Sequence, residues 1–361
     1  MPPPERAASR RHLLIYALHS SEMYGTERMA LATASGLGDE FQTIFLGPRG
    51  PALLQAGNMG FETDSFQTIP KLMVLIARLL RRFDSFTFVS TLPSYSGICM
   101  AMNLLFGRKI RYIQMIHGGG TEKKDYSRLR RFNSFDMTFV TVSDYARSRL
   151  IEFGVRADRI AVVGNFLTAE QLAAMPHRPP YDHGGIRKVA IVSRIDAPKR
   201  VDLLLDALDR AGPRLRDVSF RIFGWGPDSE SFSRRAAATH PNVEVAGYVD
   251  NVASELAGVD LLLHTCPVEA FGLAVLEAMA VDLVTLVPDQ GGAAMLVNDG
   301  VTGFRFRADD ADHLASRLIE LKSAPADLLN RVARDARSSH DSSFSAKASL
   351  DKYRQLFVPP R

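Results

Sequence analysis

Hydrophobic positions in this chain fall into short apolar runs separated by segments of helical period. Runs at residues 12–18, 42–46, 85–90, 109–116, 137–142 and 159–163 have the length and bounding residues of buried strands. Segments 29–36, 52–57 and 71–83 lie between them as helix candidates. A second series follows, with strands at 188–192, 218–223, 243–247, 259–264 and 283–287 and helices over 201–210 and from Phe271. Strands alternating with helices predict the α/β class, parallel sheets covered on both faces. Between the two series, Pro176, Pro179, Pro180 and the pair Gly184-Gly185 mark residues 173–185 as a linker. A chain of 361 residues suits two domains. We expect them over 12–175 and 186–343, with a disordered tail over 1–11 and a final helix within 344–361 that carries Tyr353 and Leu356 on one side.

Composition narrows the class without naming a chemistry. Hydrophobic residues make up 46% and charged residues 23%, an ordinary globular balance. A formal charge of +4 suits an anionic ligand or an anionic membrane surface. No motif interleaves basic with aromatic residues, so nucleic-acid binding is not expected. Cys99 and Cys266 are far apart and lack metal-ligand spacing, which points to a reduced cytoplasmic compartment. The first residues lack a secretory apolar core, and no apolar stretch is long enough to span a bilayer. Segment 71–83 gathers basic residues toward its end. It reads either as a core-packing helix with solvated ends or as one resting at the inner face of a membrane. Basic residues also cluster over 123–131, as a solvated face or a contact for an anionic acceptor.

The candidate chemistry gathers at strand ends. Glu269 lies on the loop after one strand, and Glu277 lies about two turns on, inside the helix that opens near Phe271. A helix start carries unpaired N–H groups and partial positive charge, so it cradles a phosphate, and Gly272 lets that phosphate approach. The two carboxylates can then hold hydroxyl-bearing parts of one ligand on either side. His117, at a strand end before three glycines, sits where α/β sheets bind ligands. His117-Gly118-Gly119-Gly120 also matches an esterase oxyanion loop, but the G-x-S-x-G elbow that reading needs is missing. Asp310-Ala311-Asp312 has D-x-D spacing, yet it precedes a helical stretch and reads as a cap rather than a metal site.

Glu269-Ala270-Phe271-Gly272 with Glu277 resembles the E-x7-E signature of retaining GT-B glycosyltransferases, family 4 in particular. The turn with Arg194 and Lys199 is similar to that family's G-R-x-x-x-x-K-G, with Ser193 and Arg200 replacing its glycines. The resemblance implies two Rossmann-like domains facing a cleft and a C-terminal helix crossing back to the first. It further implies metal-independent transfer of a hexosyl group from a nucleotide-diphosphate sugar, UDP- or GDP-linked, to a carbohydrate or lipid-linked acceptor. No cofactor is implied. In that scheme Glu269 and His117 contact the sugar. Arg194, Lys199 and the N–H groups of Phe271, Gly272 and Leu273 bind diphosphate, and Glu277 takes the ribose. Gly224 and Tyr248 lie near the base. Gly25 holds the close-approach position in the first domain, where Tyr24 replaces one of the family's glycines, and Met295 stands where the family often has Glu. Competing readings are a nucleotide-sugar epimerase and a non-catalytic nucleotide-sugar-binding subunit of a partner transferase.

Overall fold

The computed structural model describes residues 11–118, 126–249 and 251–358. The expected tail, apart from Arg11, and the basic residues Lys123 and Lys124 lie outside them. The first sheet comprises β1 (His12–Ala17), β2 (Phe41–Gly47), β3 (Glu62–Ser65), β4 (Ser85–Ser90), β5 (Lys109–Ile116), β6 (Met137–Thr141) and β7 (Ile160–Val162). Its order is β3-β2-β1-β4-β5-β6-β7, parallel throughout. Helices α1 (Gly25–Gly36), α2 (Pro51–Asn58), α3 (Ile69–Arg82), α4 (Pro93–Phe106), α5 (Asp144–Glu152) and α6 (Ala169–Ala174) connect them. Ile15, Phe88, Ile113 and Phe139 are buried in the middle strands, as expected of a parallel sheet covered on both faces. Strand β3 escaped the sequence reading because Glu62, Thr63, Asp64 and Ser65 form an edge strand with no apolar run. Helix α3 is capped by Thr68 and buries Leu72, Leu75, Ile76, Leu79 and Leu80, so its apolar stripe packs into the core.

The second sheet holds β8 (Lys188–Val192), β9 (Ser219–Phe223), β10 (Val243–Gly247), β11 (Leu261–Leu263), β12 (Thr285–Pro288) and β13 (Phe304–Phe306). Its order is β10-β9-β8-β11-β12-β13, again parallel. The helices are α7 (Asp202–Ala211), α8 (Ser229–Thr239), α9 (Val252–Ala257), α10 (Leu273–Ala280), α11 (Ala311–Lys322), α12 (Ala326–Ser343) and α13 (Ala346–Phe357). Strand order reverses between β1 and β4 in one sheet and between β8 and β11 in the other. Ligands bind at such switch points, outside the carboxyl ends of the strands.

The Pro-rich connection is not a free linker. Arg178 lies over the Tyr181 ring, 3.6 Å from its centre, and bonds Asp260 Oδ1 at 2.8 Å. The other Asp260 oxygen accepts the N–H groups of Arg187 and Lys188 at 2.8 and 2.9 Å. Helix α13 returns to the first domain, burying Tyr353 and Phe357 beside Leu14, Tyr16 and Phe41. Thr87 Oγ1 donates to Phe357 O at 2.7 Å, tying that helix end to β4. The two domains also touch at the centre. Ser143 caps α5 and donates its hydroxyl to Ala270 O, and a Cβ on Gly164 would lie 3.5 Å from the Phe271 ring.

Candidate active site

The loop after β11 is held by glycines on its neighbours. A Cβ on Gly292 would lie 1.9 Å from Ala270 O, and one on Gly291 2.7 Å from Pro267 O, so only glycine lets the 291–292 backbone lie against this loop. Gly292 N donates to Glu269 O at 2.6 Å. Gly272 sits at φ +98 and turns the chain into α10, which therefore begins at Leu273 rather than at the expected Phe271. Among the described residues no protein acceptor takes the N–H groups of Phe271 and Gly272. Two backbone donors thus stand free where the helix dipole is positive, the arrangement that receives an anion.

The cationic turn is laced to this loop. Lys199 Nζ bonds Glu269 Oε2 at 2.5 Å, and Glu269 Oε1 accepts Ala270 N at 3.1 Å. Thr265 Oγ1 donates to Lys199 O at 2.8 Å, and Cys266 Sγ donates to Pro198 O at 3.2 Å. Burial alone would raise Glu269, but the Lys199 charge, aided by His264 and the bonds from Lys199 and Ala270, holds it below the usual carboxylate range. Burial would likewise lower Lys199, and Glu269 overcomes this and raises it. Both groups are therefore charged at neutral pH. Arg194 is half-exposed and paired with Asp196 at 2.6 Å.

Gly224 has a structural requirement of its own. At φ +143 its Cβ would lie 2.0 Å from Ser193 O, so the β9 turn packs on the Arg194 loop. Tyr248 is exposed beyond β10. Gly25 opens α1, four residues ahead of the expected helix start, and its Cβ would lie 3.0 Å from the Leu273 side chain across the cleft. Tyr24 is 53% exposed beside it. Glu277 is half-buried; burial pushes it up to about 7 against the lowering pull of Arg28 from the first domain. Met295 accepts the Tyr145 N–H on its sulfur at 3.2 Å, so the residue replacing the family's Glu bridges the domains. Asp310 accepts His313 N at 2.8 Å, the cap expected of the D-x-D segment.

His117 ends β5 with Nε2 buried and unpartnered among the described residues, and burial pushes its pKa down to about 4. Three groups escaped sequence reasoning. His264, 6% exposed at the end of β11, keeps an unpartnered Nε2 and is also pushed down to about 4 by burial. His264, Cys266 and Glu269 bring one ligand-type atom each within 4.8 Å. Lys199 already holds the position a cation would take against Glu269, and burial pushes the Cys266 thiol up to about 11. Glu27, fully buried, and His19 form a pair in the first domain. The sequence hint for that pair was a carboxylate three residues into the first-domain loop motif, opposite a strand-end histidine.

Residues 186–323 match the family model described as glycosyl transferases group 1, and residues 23–171 match that of glycosyltransferase family 4. Over 186 residues the chain is 27% identical to a phosphatidyl-myo-inositol mannosyltransferase of Mycobacterium leprae, covering 50% of this chain and 49% of the relative. It is 27% identical over 168 residues to an N-acetyl-alpha-D-glucosaminyl L-malate synthase of Bacillus anthracis, covering 46% and 44%. The chain spans about half the length of the curated relatives it matches. Anabaena Alr3699/HepE, solved in complex with UDP and glucose, shares the fold at a TM-score of 0.80 and 17% identity, over 95% of this chain and 98% of that one. The lipopolysaccharide outer core galactosyltransferase WaaB, solved in its apo form, does so at 0.76 and 15%, over 96% and 98%.

Proposed function

The chain belongs to the group 1 glycosyl transferases of family 4, with the GT-B arrangement of two Rossmann-like domains, and on that premise we propose that it moves a hexosyl group from a nucleotide-diphosphate sugar to an acceptor hydroxyl, retaining the anomeric configuration and using no metal. The observation that carries this reading is the 2.5 Å Lys199–Glu269 pair beside the free N–H groups opening α10. Breaking the sugar–phosphate bond leaves charge on the diphosphate and a cationic sugar. Fixed charges of both signs, set before the reaction, stabilise that separation.

Donor diphosphate lies against Phe271, Gly272 and Leu273, with Lys199 and Arg194 beside it and the ribose on Glu277. Glu269 faces the sugar and balances its developing positive charge, while neutral His117 offers a hydrogen bond at the sugar's far side. Gly224 and Tyr248 border the base, and Gly25 gives the donor room at the first domain. The acceptor, a carbohydrate or a lipid-linked saccharide in cell-surface polysaccharide or glycolipid synthesis, enters from the first domain. A cavity of about 950 Å³ there is lined by Arg28, Arg49, Leu53, Leu54 and Asp64, among others. Peripheral contact with an anionic membrane would bring a lipid-linked acceptor to that cavity, and the exposed Lys71, Arg78, Arg81 and Arg82 of α3 supply matching charge. Among the described residues, no helix is long and apolar enough to cross a membrane.

A thermal-shift series with UDP-, GDP-, ADP- and dTDP-sugars tests the donor, because a ligand bound only by the folded state raises its apparent stability. One or two donors should stabilise the protein and release nucleoside diphosphate on turnover. Binding without hydrolysis or transfer to any extract would leave a non-catalytic subunit, and an epimerised donor would replace the transfer reading.

A further inference from the structure

The first-domain cavity of about 950 Å³ lies where the chain leaves β1, β2 and β3, at the carboxyl ends of those strands. Its wall is firmly set. Ala52 N donates to Ser21 O at 2.9 Å, and a Cβ on Gly50 would lie 2.5 Å from the Ser21 side chain. The turn into α2 therefore packs without slack on the loop after β1.

Two guanidinium groups line this cavity, Arg28 from the first turn of α1 and Arg49 from the turn into α2. Both residues are exposed. Arg49 Nε donates to Ser65 Oγ at 3.2 Å, which orients the guanidinium and leaves its terminal nitrogens without a partner among the described residues. The Arg28 side chain has no hydrogen-bond or ion-pair partner among the described residues. Asp64 lines the same cavity yet forms an ion pair with neither. Elsewhere Arg178, Arg235 and Arg317 are each matched to a carboxylate. The cavity thus presents two unmatched cations to whatever fills it. Their planar forks suit an anion that offers several oxygens, as a phosphate does.

The cavity adjoins the donor site. Gly25 opens the helix that carries Arg28, and its Cβ would lie 3.0 Å from the Leu273 side chain of the second domain. The charge of Arg28 also acts on Glu277 across the cleft.

Resting on the function proposed above, we infer that the acceptor carries a phosphate group near the hydroxyl that receives the sugar, held between Arg28 and Arg49. These two arginines are the specificity-determining residues of the acceptor site. A neutral analogue leaves them unmatched inside the cavity, and a site built for a polar group rejects a ligand that lacks it. Asp64 stands in the same cavity to accept a hydrogen bond from a neighbouring hydroxyl and repels a second anionic group. Met23 and Leu54 add an apolar wall. It suits the carbon face of a sugar phosphate or the first carbons beyond a lipid headgroup, and the phosphate chemistry is shared by both.

The test first fills the diphosphate cradle with saturating nucleoside diphosphate, of the base that the thermal-shift series selects, so that a second anion reports on the cavity. Inorganic phosphate titrated into this complex by calorimetry at low salt should bind saturably. Arg49→Gln and Arg28→Gln should each weaken that binding about tenfold, the worth of a charged hydrogen bond. Arg334→Gln, an exposed site on α12, should not. Phosphate should also inhibit transfer to an acceptor extract in competition with the extract and not with the donor. Glycerol 3-phosphate binding tighter than inorganic phosphate, and losing that gain in Arg49→Gln, would identify a soluble source. Binding to phosphatidylglycerol vesicles over phosphatidylcholine ones, lost in Arg49→Gln, would identify a lipid headgroup. Several outcomes would overturn the assignment: no saturable phosphate binding in the nucleotide-filled protein, equal binding in both cavity variants, inhibition competitive with the donor alone, or glucuronate bound as tightly as glucose 6-phosphate. A protein stabilised by no nucleotide or nucleotide sugar would instead sink the donor reading, a result separate from the phosphate titration.

Discussion

At the scale of single residues, the proposed function divides the site's charges into those that act in binding and those that act in reaction. Arg194 is half-exposed and, among the described residues, its side chain pairs with Asp196; in the proposed reading it turns onto a diphosphate whose charge grows as the sugar leaves. Arg194→Ala is therefore expected to lower kcat by about 10²-fold with little change in donor affinity, read from steady-state rates against donor titration. In the proposed reading Glu277 holds the donor's ribose, a contact that does not change as the reaction proceeds. Glu277→Ala should accordingly raise the donor Kd and leave kcat nearly intact. Glu277 also carries a pH signature. Its folded pKa is raised to about 7, so it is a carboxylate only above that pH. Donor affinity should tighten as pH rises through 7 and stay flat in Glu277→Gln, which calorimetric titration at several pH values would show. Both Arg194 and Glu277 were legible in the sequence, because each belongs to a spaced motif of charged residues. His264 and the His19–Glu27 pair were not, because their surroundings come from burial and from residues distant in sequence.

At the scale of elements, glycines set the loop that carries Glu269. The pair Gly291-Gly292 has no room for side chains against the backbone of Pro267 and Ala270. Gly292→Ala forces a Cβ onto a carbonyl oxygen, and a strain of about 1–3 kcal/mol is expected from overpacking of this kind. The displaced loop carries Glu269, so hydrolysis should fall together with the melting temperature. A variant with a lowered melting temperature but normal turnover would show that the loop tolerates the shift. From sequence alone these glycines mark only a turn after a strand. Their close approach to a loop more than twenty residues earlier exists only once β11 and β12 are paired. The cap read at the D-x-D segment is present: Asp310 caps α11, where its side-chain oxygen accepts one of the first free N–H groups. Edge strand β3 was missed for the opposite reason, since a polar edge has no hydrophobic period to report.

At the scale of the whole molecule, two connections join the halves. The Pro-rich segment docks through Arg178, whose side chain is 7% exposed and paired with Asp260 at 10%. Arg178→Ala would leave that carboxylate buried with only backbone donors, and a loss of about 3 kcal/mol is expected for a broken buried pair. Chemical denaturation should show it as a lowered midpoint with unchanged slope. An unchanged midpoint would mean that the segment is only tethered, as its prolines and glycines first indicate. The second connection, α13, sends Tyr353 and Phe357 into the core of the first domain. The centre is lighter, made of the Ser143–Ala270 bond, the Phe271 ring against Gly164 and the Tyr145–Met295 contact.

Sequence by itself determined the alternation of strand and helix, the two series of parallel strands and the spaced charges Arg194, Lys199, Glu269 and Glu277, while the return of the last helix to the first domain was implied by the family resemblance. The former follow from local period, turn chemistry and residue spacing, all of which act over a few residues. Tertiary structure alone decided that Lys199 reaches Glu269, that Met295 bridges to Tyr145, that Arg178 neutralises Asp260, and that Glu27 lies buried behind His19. Each of those joins positions far apart in the chain, and the energy that makes them matter is the loss of water around a charge, which no run of letters contains until the chain has closed over it.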